Sequence, residues 1–102
     1  MIIITGTFEF DPEQRDAFIT SRHDGMRTSR AEAGCFEYTF SADPLAPGRV
    51  LLSERWADQA ALDAHIAGMR SAPRPPADAP RPPKPTSSSI VAYDVTGERP
   101  LG

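Results

Sequence analysis

Apolar and polar residues alternate along some stretches of this chain and recur at helical spacing along others, and the order of these stretches predicts a fold. Ile2 to Phe10 is rich in β-branched and aromatic residues, and Ile2, Ile4, Phe8 and Phe10 share one parity, as a half-buried strand requires. Gly6 interrupts that parity, which marks a bend or a close approach by another element. Asp11-Pro12-Glu13-Gln14 has the composition of a helix start, with Asp as N-cap and Pro at the first helical position. This helix is expected to run to about Ala33, with Phe18, Ile19, Arg22 and Met26 as a thin stripe, and to stop at Gly34. Cys35 to Ser41 alternates again, with Phe36, Tyr38 and Phe40 on one face. Asp43 to Gly48 is rich in turn residues, and Arg49 to Trp56 resumes the alternation with Val50, Leu52, Glu54 and Trp56 on one parity, so a hairpin joins the two strands. Asp58 is the next N-cap candidate, and Leu62, His65, Ile66 and Met69 follow as a single helical stripe. Pro73 ends that helix, and Ser89 to Thr96 forms the last strand, with Val91, Tyr93 and Val95 on one face.

The predicted order, β-α-β-β-α-β, is the split-βαβ pattern of a ferredoxin-like α+β fold: a four-stranded antiparallel sheet with two helices on one face. Two helices leave the other face bare. Both parities nonetheless carry apolar residues, Ile3 against Ile4, Leu51 against Leu52 and Ile90 against Val91. The bare face therefore calls for a partner, and a second copy of the same sheet is the simplest one, giving a homodimer joined through the open sheet face.

Composition narrows the function classes. A chain of 102 residues, 39% hydrophobic and 25% charged, is one globular domain spanning residues 1–102. Its formal net charge of −3 offers no basic footprint, so no nucleic acid is expected as partner. No apolar run approaches the roughly 20 residues of a membrane span, and the first ten residues read as a strand rather than a signal peptide, so no membrane partner is expected. The single Cys allows no internal disulfide and no Cys-based metal cluster, which suits a reducing cytoplasm. Proline is the outlier, with 11 residues, of which the segment 73–85 holds most. That segment reads as a stiff extended crossover, or alternatively as a ligand for a Pro-recognising module, and residues 97–102 as a flexible tail.

Few residues can do chemistry. There is no HxxxH, CxxC, Gly-rich phosphate loop or GxSxG, and His23 and His65 lie on different helices, so no metal site and no cofactor is expected. His65, on the stripe facing the sheet, can take a proton from a phenol or enol near neutral pH, or can be a hydrogen-bonded histidine at the edge of the core. Trp56 offers a flat wall and one N–H donor, or simply fills the core. Tyr38 and Phe40 from the strand parity and Phe18 from the first stripe are candidates for binding a substrate, with core packing as the alternative. Arg55 can pair with Glu54 at the surface or orient a carboxylate or phenolate. His23 faces solvent, and Cys35 is a small hydrophobe rather than a nucleophile.

The segment Glu32-Ala33-Gly34-Cys35-Phe36-Glu37-Tyr38 resembles the E-x-G-C-x-x-Y segment of the antibiotic biosynthesis monooxygenase family. Pro47-Gly48-Arg49, then Ser53-Glu54-Arg55-Trp56, then Ala61-Leu62-Asp63-Ala64-His65 are similar to that family's third strand and second helix, in order and spacing. The resemblance covers Met1 to about Met69. It implies a dimeric α+β barrel and oxidation of a small phenolic, quinol or aromatic polyketide-like compound by O₂ without metal or flavin. It also implies that Trp56 and His65, as family pocket positions, are the catalytic pair. Past Met69 the chain departs from the family's usual second His and short helix, and Thr5-Gly6-Thr7 stands where haem-degrading relatives carry Asn, so haem degradation is not expected. The competing expectation is a dimeric small-ligand-binding domain of the same fold without catalysis.

Overall fold

Strict alternation in the strand Arg49–Trp56 organises the sheet: Val50, Leu52, Glu54 and Trp56 are all buried, and the residues between them are not. The computed structural model describes all 102 residues. In chain order its elements are β1 (Ile2–Glu9), a 3₁₀ turn (Pro12–Gln14), α1 (Arg15–Ser21), α2 (His23–Arg30), β2 (Cys35–Ala42), β3 (Arg49–Trp56), α3 (Gln59–Ser71) and β4 (Ser87–Asp94). The strands pair in the order β2-β3-β1-β4 with every neighbouring pair antiparallel, which is the ferredoxin-like arrangement the patterning predicts.

The core lies between the sheet and the helices. Ile2 and Ile4 of β1, Tyr38 of β2 and Leu52 and Trp56 of β3 meet Met26 of α2 and Leu62 of α3 in one cluster. Phe10, Phe18 and Val50 form a second, and Phe8 and Phe40 pack against both. Trp56 and Val50 are each 0% exposed. Burial of each large apolar side chain contributes about 1.5–3 kcal/mol, so the central strand carries a large share of the stability.

The first helix differs from the expectation of one continuous run to Ala33. It opens as a 3₁₀ turn without a side-chain cap from Asp11, breaks at Arg22 and ends at Arg30. The cause of the break is local. Ser21 Oγ donates to the Phe18 carbonyl at 2.6 Å, the acceptor that the Arg22 N–H would have in an unbroken helix. The Arg22 N–H turns to the Ile19 carbonyl instead, at 3.0 Å. The expected single face of Phe36, Tyr38 and Phe40 also divides. A register shift between Cys35 and Glu37 sets Cys35 opposite Trp56 and leaves Phe36 58% exposed. The last strand starts and ends two residues earlier than expected, at Ser87 and Asp94.

Each sheet edge is treated differently. Along β2, α2 satisfies outward backbone groups: Arg30 Nε donates to the Tyr38 carbonyl at 2.9 Å, and the Phe40 N–H meets Met26 Sδ at 3.4 Å. Along β4 nothing covers either face, and all eight residues are exposed, Ile90, Val91 and Tyr93 among them. Residues 73–85 form neither helix nor strand.

The turn from α2 into β2 depends on Gly34. Its φ is +81°, and a Cβ there would lie 2.6 Å from Ala61 Cβ of α3. Its carbonyl accepts from the Ala57 N–H at 2.8 Å, which ties this turn to the entry of α3. Gly34→Ala is therefore expected to cost about 2–4 kcal/mol, from the left-handed backbone and the forced contact together. Urea unfolding should show a lower midpoint at unchanged slope.

Candidate functional site

Helix spacing gathers the side chains of one cavity. From the α2 side, Arg22, Gly25, Ser29 and Glu32 form one stripe; from α3, His65, Gly68, Met69 and Ala72 form another. Tyr38 and Phe40 of β2 complete it. The cavity is a cleft of about 600 Å³, within the usual range for small-molecule sites. Its width comes from Gly25 and Gly68, where a Cβ would meet nothing within 4 Å.

Asp58 Oδ1 caps α3 by accepting from the Ala61 N–H at 2.9 Å, which confirms the expected N-cap. The helix then brings His65, 4% exposed, against the sheet. The imidazole ring lies 4.6 Å from the Trp56 ring at 35° and 5.3 Å from the Tyr38 ring. Its Nδ1 lies 2.8 Å from Glu32 Oε1. An ionised carboxylate can only accept, so Nδ1 carries the proton and Nε2 is left as the basic atom. Glu32 also offsets the positive charge that appears when His65 takes up a proton.

Near this pair sits Glu54, a carboxylate that its neighbour Arg55 could have paired at the surface. Glu54 is 7% exposed, and Trp56 Nε1 donates to its Oε1 at 2.9 Å. Burial holds the Glu54 carboxyl above the usual carboxylate range, against the opposing effects of the Trp56 hydrogen bond and the nearby His65. The Tyr38 phenol is pushed up to about 12, by burial first and by the Glu54 charge second, with Arg22 opposing. Tyr38 therefore stays a neutral donor across neutral pH. Burial also raises the Cys35 thiol, which keeps it a poor nucleophile. No group of three or more His, Cys, Asp or Glu converges in a way that could hold a metal ion.

The expected site residues divide as follows. His65, Tyr38 and Phe40 line the cavity together. Trp56 lies beneath His65, fully buried and forming no part of the wall. Phe18 packs in the phenylalanine cluster, 4.5 Å from Phe10 and 5.7 Å from Phe40. Arg55 is set apart, because consecutive strand residues point to opposite faces: it sits across from Ile3 and Glu37 on the face without helices, and makes no ion pair with Glu54. Glu54, Glu32 and Arg22 were missed as site residues. The signal for Glu54 was present, a carboxylate on the parity of Val50, Leu52 and Trp56.

The raised carboxyl makes Glu54 a source of pH dependence with a definite sign. The folded state holds the proton more tightly than the unfolded chain, so stability falls as pH rises through the carboxylate range. Glu54→Gln keeps an acceptor for Trp56 and removes the buried charge. It is expected to raise the thermal midpoint at pH 7, with the gain shrinking as pH falls below that range, read by thermal unfolding across a pH series.

Comparison with known proteins places this geometry. The model of the antibiotic biosynthesis monooxygenase family matches residues 1–68. An uncharacterized protein of Synechocystis, sll1783, is 33% identical over 65 residues, which is 64% of this chain and 44% of that protein, so the chain spans less than half the length of this relative. Among solved structures, one from Deinococcus radiodurans provisionally named an antibiotic biosynthesis monooxygenase superposes with a TM-score of 0.74 at 21% identity, covering 100% of this chain and 99% of that one. The haem-degrading protein MhuD of Mycobacterium tuberculosis, solved with two haems in its active site, superposes with a TM-score of 0.70 at 13% identity, covering 98% and 100%. At these identities the solved structures speak for the fold alone. With the family model matching from β1 through the cavity residues of α3 as far as Gly68, the chain belongs to the antibiotic biosynthesis monooxygenase family.

Proposed function

We propose that the protein is a cofactor-independent monooxygenase that oxidises a small phenolic, quinol or aromatic polyketide-like compound with O₂. The observation that carries this reading is His65, with Nδ1 held by Glu32 and Nε2 free to act as base, on the wall of a cavity that Tyr38 and Phe40 share. His65 Nε2 takes the phenolic proton, and the electron-rich anion passes one electron to O₂. The radical pair recombines into a carbon–oxygen bond, and the peroxide loses water to leave a quinone; one O₂ gives one oxygen atom to product and one to water. Trp56 fixes the imidazole plane from below, and the neutral Tyr38 phenol donates to developing negative charge.

A second reading has its own observation. The cavity wall ends at Ala72, where the Pro-rich segment begins, and an open cleft excludes water poorly. A dimeric domain that binds a small aromatic ligand without turning it over fits that feature.

Proteins of this family are often dimeric and bind small ligands. For this chain the proposed dimer joins the sheet face bearing Ile3, Leu51, Val91 and Tyr93 to its copy, since the two helical segments cover only the other face. No helix is long and apolar enough to cross a membrane, and the proposed location is the cytoplasm.

O₂ uptake with a panel of hydroquinones and naphthols tests the enzymatic reading: uptake above the blank supports it, and aromatic binding by thermal shift without uptake favours the second reading. Given turnover, His65→Gln, which keeps volume and a contact for Glu32, is expected to lower kcat/KM by about 10²-fold or more with an unchanged circular dichroism spectrum. Light scattering at micromolar concentration should return twice the chain mass, and a monomeric mass would remove the dimer.

A further inference from the structure

Arg22, at the junction of α1 and α2, is the one arginine of this region without a polar partner. Arg15 donates to Asp16 and to the hairpin carbonyls of Asp43 and Ala46, Arg27 pairs with Asp24, and Arg30 ties α2 to Tyr38 and Thr39. The Arg22 side chain makes no hydrogen bond and no ion pair, and its Nε is shut away from solvent without a partner. It is nevertheless held in place: the guanidinium carbon lies 5.5 Å over the Phe18 ring, and the residue lines the cavity. The two terminal nitrogens of a guanidinium kept unpaired in a cleft are free to donate to a planar anion.

The arrangement of charge gives the cavity a direction. Arg22 stands at the N-cap of α2, and Glu32 lies just beyond the C-terminal end of the same helix. With 8 residues, that helix is roughly 12 Å long. At the other end Glu32 is engaged by His65, with the Glu54 carboxylate beneath. Between the poles lie Tyr38 and Phe40, whose rings are 5.8 Å apart.

We propose that Arg22 is the anion receptor of this cavity and that the ligand is an aromatic acid, its carboxylate on the Arg22 guanidinium, its rings on Tyr38 and Phe40, and its phenolic hydroxyl toward His65. This rests on reading the cavity as a site for a small aromatic compound, and it narrows the class: neutral hydroquinones are the poorer ligands, and the acid group sets the orientation that brings the hydroxyl to the base.

The test compares two probes of equal shape, a hydroxynaphthoate and the corresponding neutral hydroxynaphthamide, by calorimetry with the full chain. The acid should bind about tenfold or more tightly than the amide, with the preference shrinking at high salt. Arg22→Met, which keeps the packing over Phe18, should abolish the preference by weakening the acid far more than the amide, and Arg22→Lys should restore part of it. Equal binding of the two probes to the unsubstituted protein overturns the proposal while leaving the aromatic site standing, and so does a preference that survives Arg22→Met. Binding of neither probe overturns the aromatic-site reading together with the proposal. The comparison on the unsubstituted protein decides the matter even if Arg22→Met fails to fold.

Discussion

Helices that follow β1 and β3 of this sheet can cover only one of its faces, and most features of the molecule follow from that constraint. It forces one parity of β1, β2 and β3 into the core and the other out of it, so the alternation of β3 becomes a list of what is buried: Val50, Leu52, Glu54 and Trp56. It puts the cavity on the covered side, because only there can two helices form walls over a strand floor. It also leaves β4 without cover and leaves Ile3, Leu51, Val91 and Tyr93 on the bare face. The site and the bare surface are two consequences of one packing arrangement.

A carboxylate on a core parity has to find partners or lose its charge, and Glu54 has a partner in Trp56. Trp56 supplies one donor, and burial raises the carboxyl. The cost is offset by what the group organises. Its charge adds to burial in keeping Tyr38 protonated, and it lies near a histidine anchored by Glu32. Trp56, Tyr38 and His65 are thereby fixed relative to one another by ring contacts of 4.6–6.4 Å and by two hydrogen bonds. Side chains tied in this way hold a base in position through packing and outer contacts, which a catalytic or a binding site equally needs.

Departures from the pattern have short-range causes. The first helix breaks at Arg22 because a serine hydroxyl competes for a backbone acceptor, and the break sets Arg22 at the start of a helix rather than in the middle of one. The register shift before Glu37 turns Phe36 outward and lets Cys35 face Trp56. Neither event alters the order of elements, since each shifts the chain by about one residue within an element whose faces are set by many others.

Element order, strand parity, the Asp58 cap and the membership of His65, Tyr38 and Phe40 in a helix-facing surface were legible in the residues, because periodicities of 2 and 3.6 are properties of the chain itself. Which of those residues share a cavity was not, because it depends on how far apart α2 and α3 sit, with Gly25 and Gly68 both on the cavity wall. Glu32 and His65 are 33 positions apart, and nothing local announces their contact. Arg55 shows the opposite case: neighbours in sequence, it and Glu54 are separated by the full thickness of the sheet, so adjacency suggested a pair that the pleat forbids. Trp56 could be assigned to the covered face from the sequence; only packing decided that it lies under the imidazole rather than on the cavity wall, because the side chain above it on α3 takes the wall.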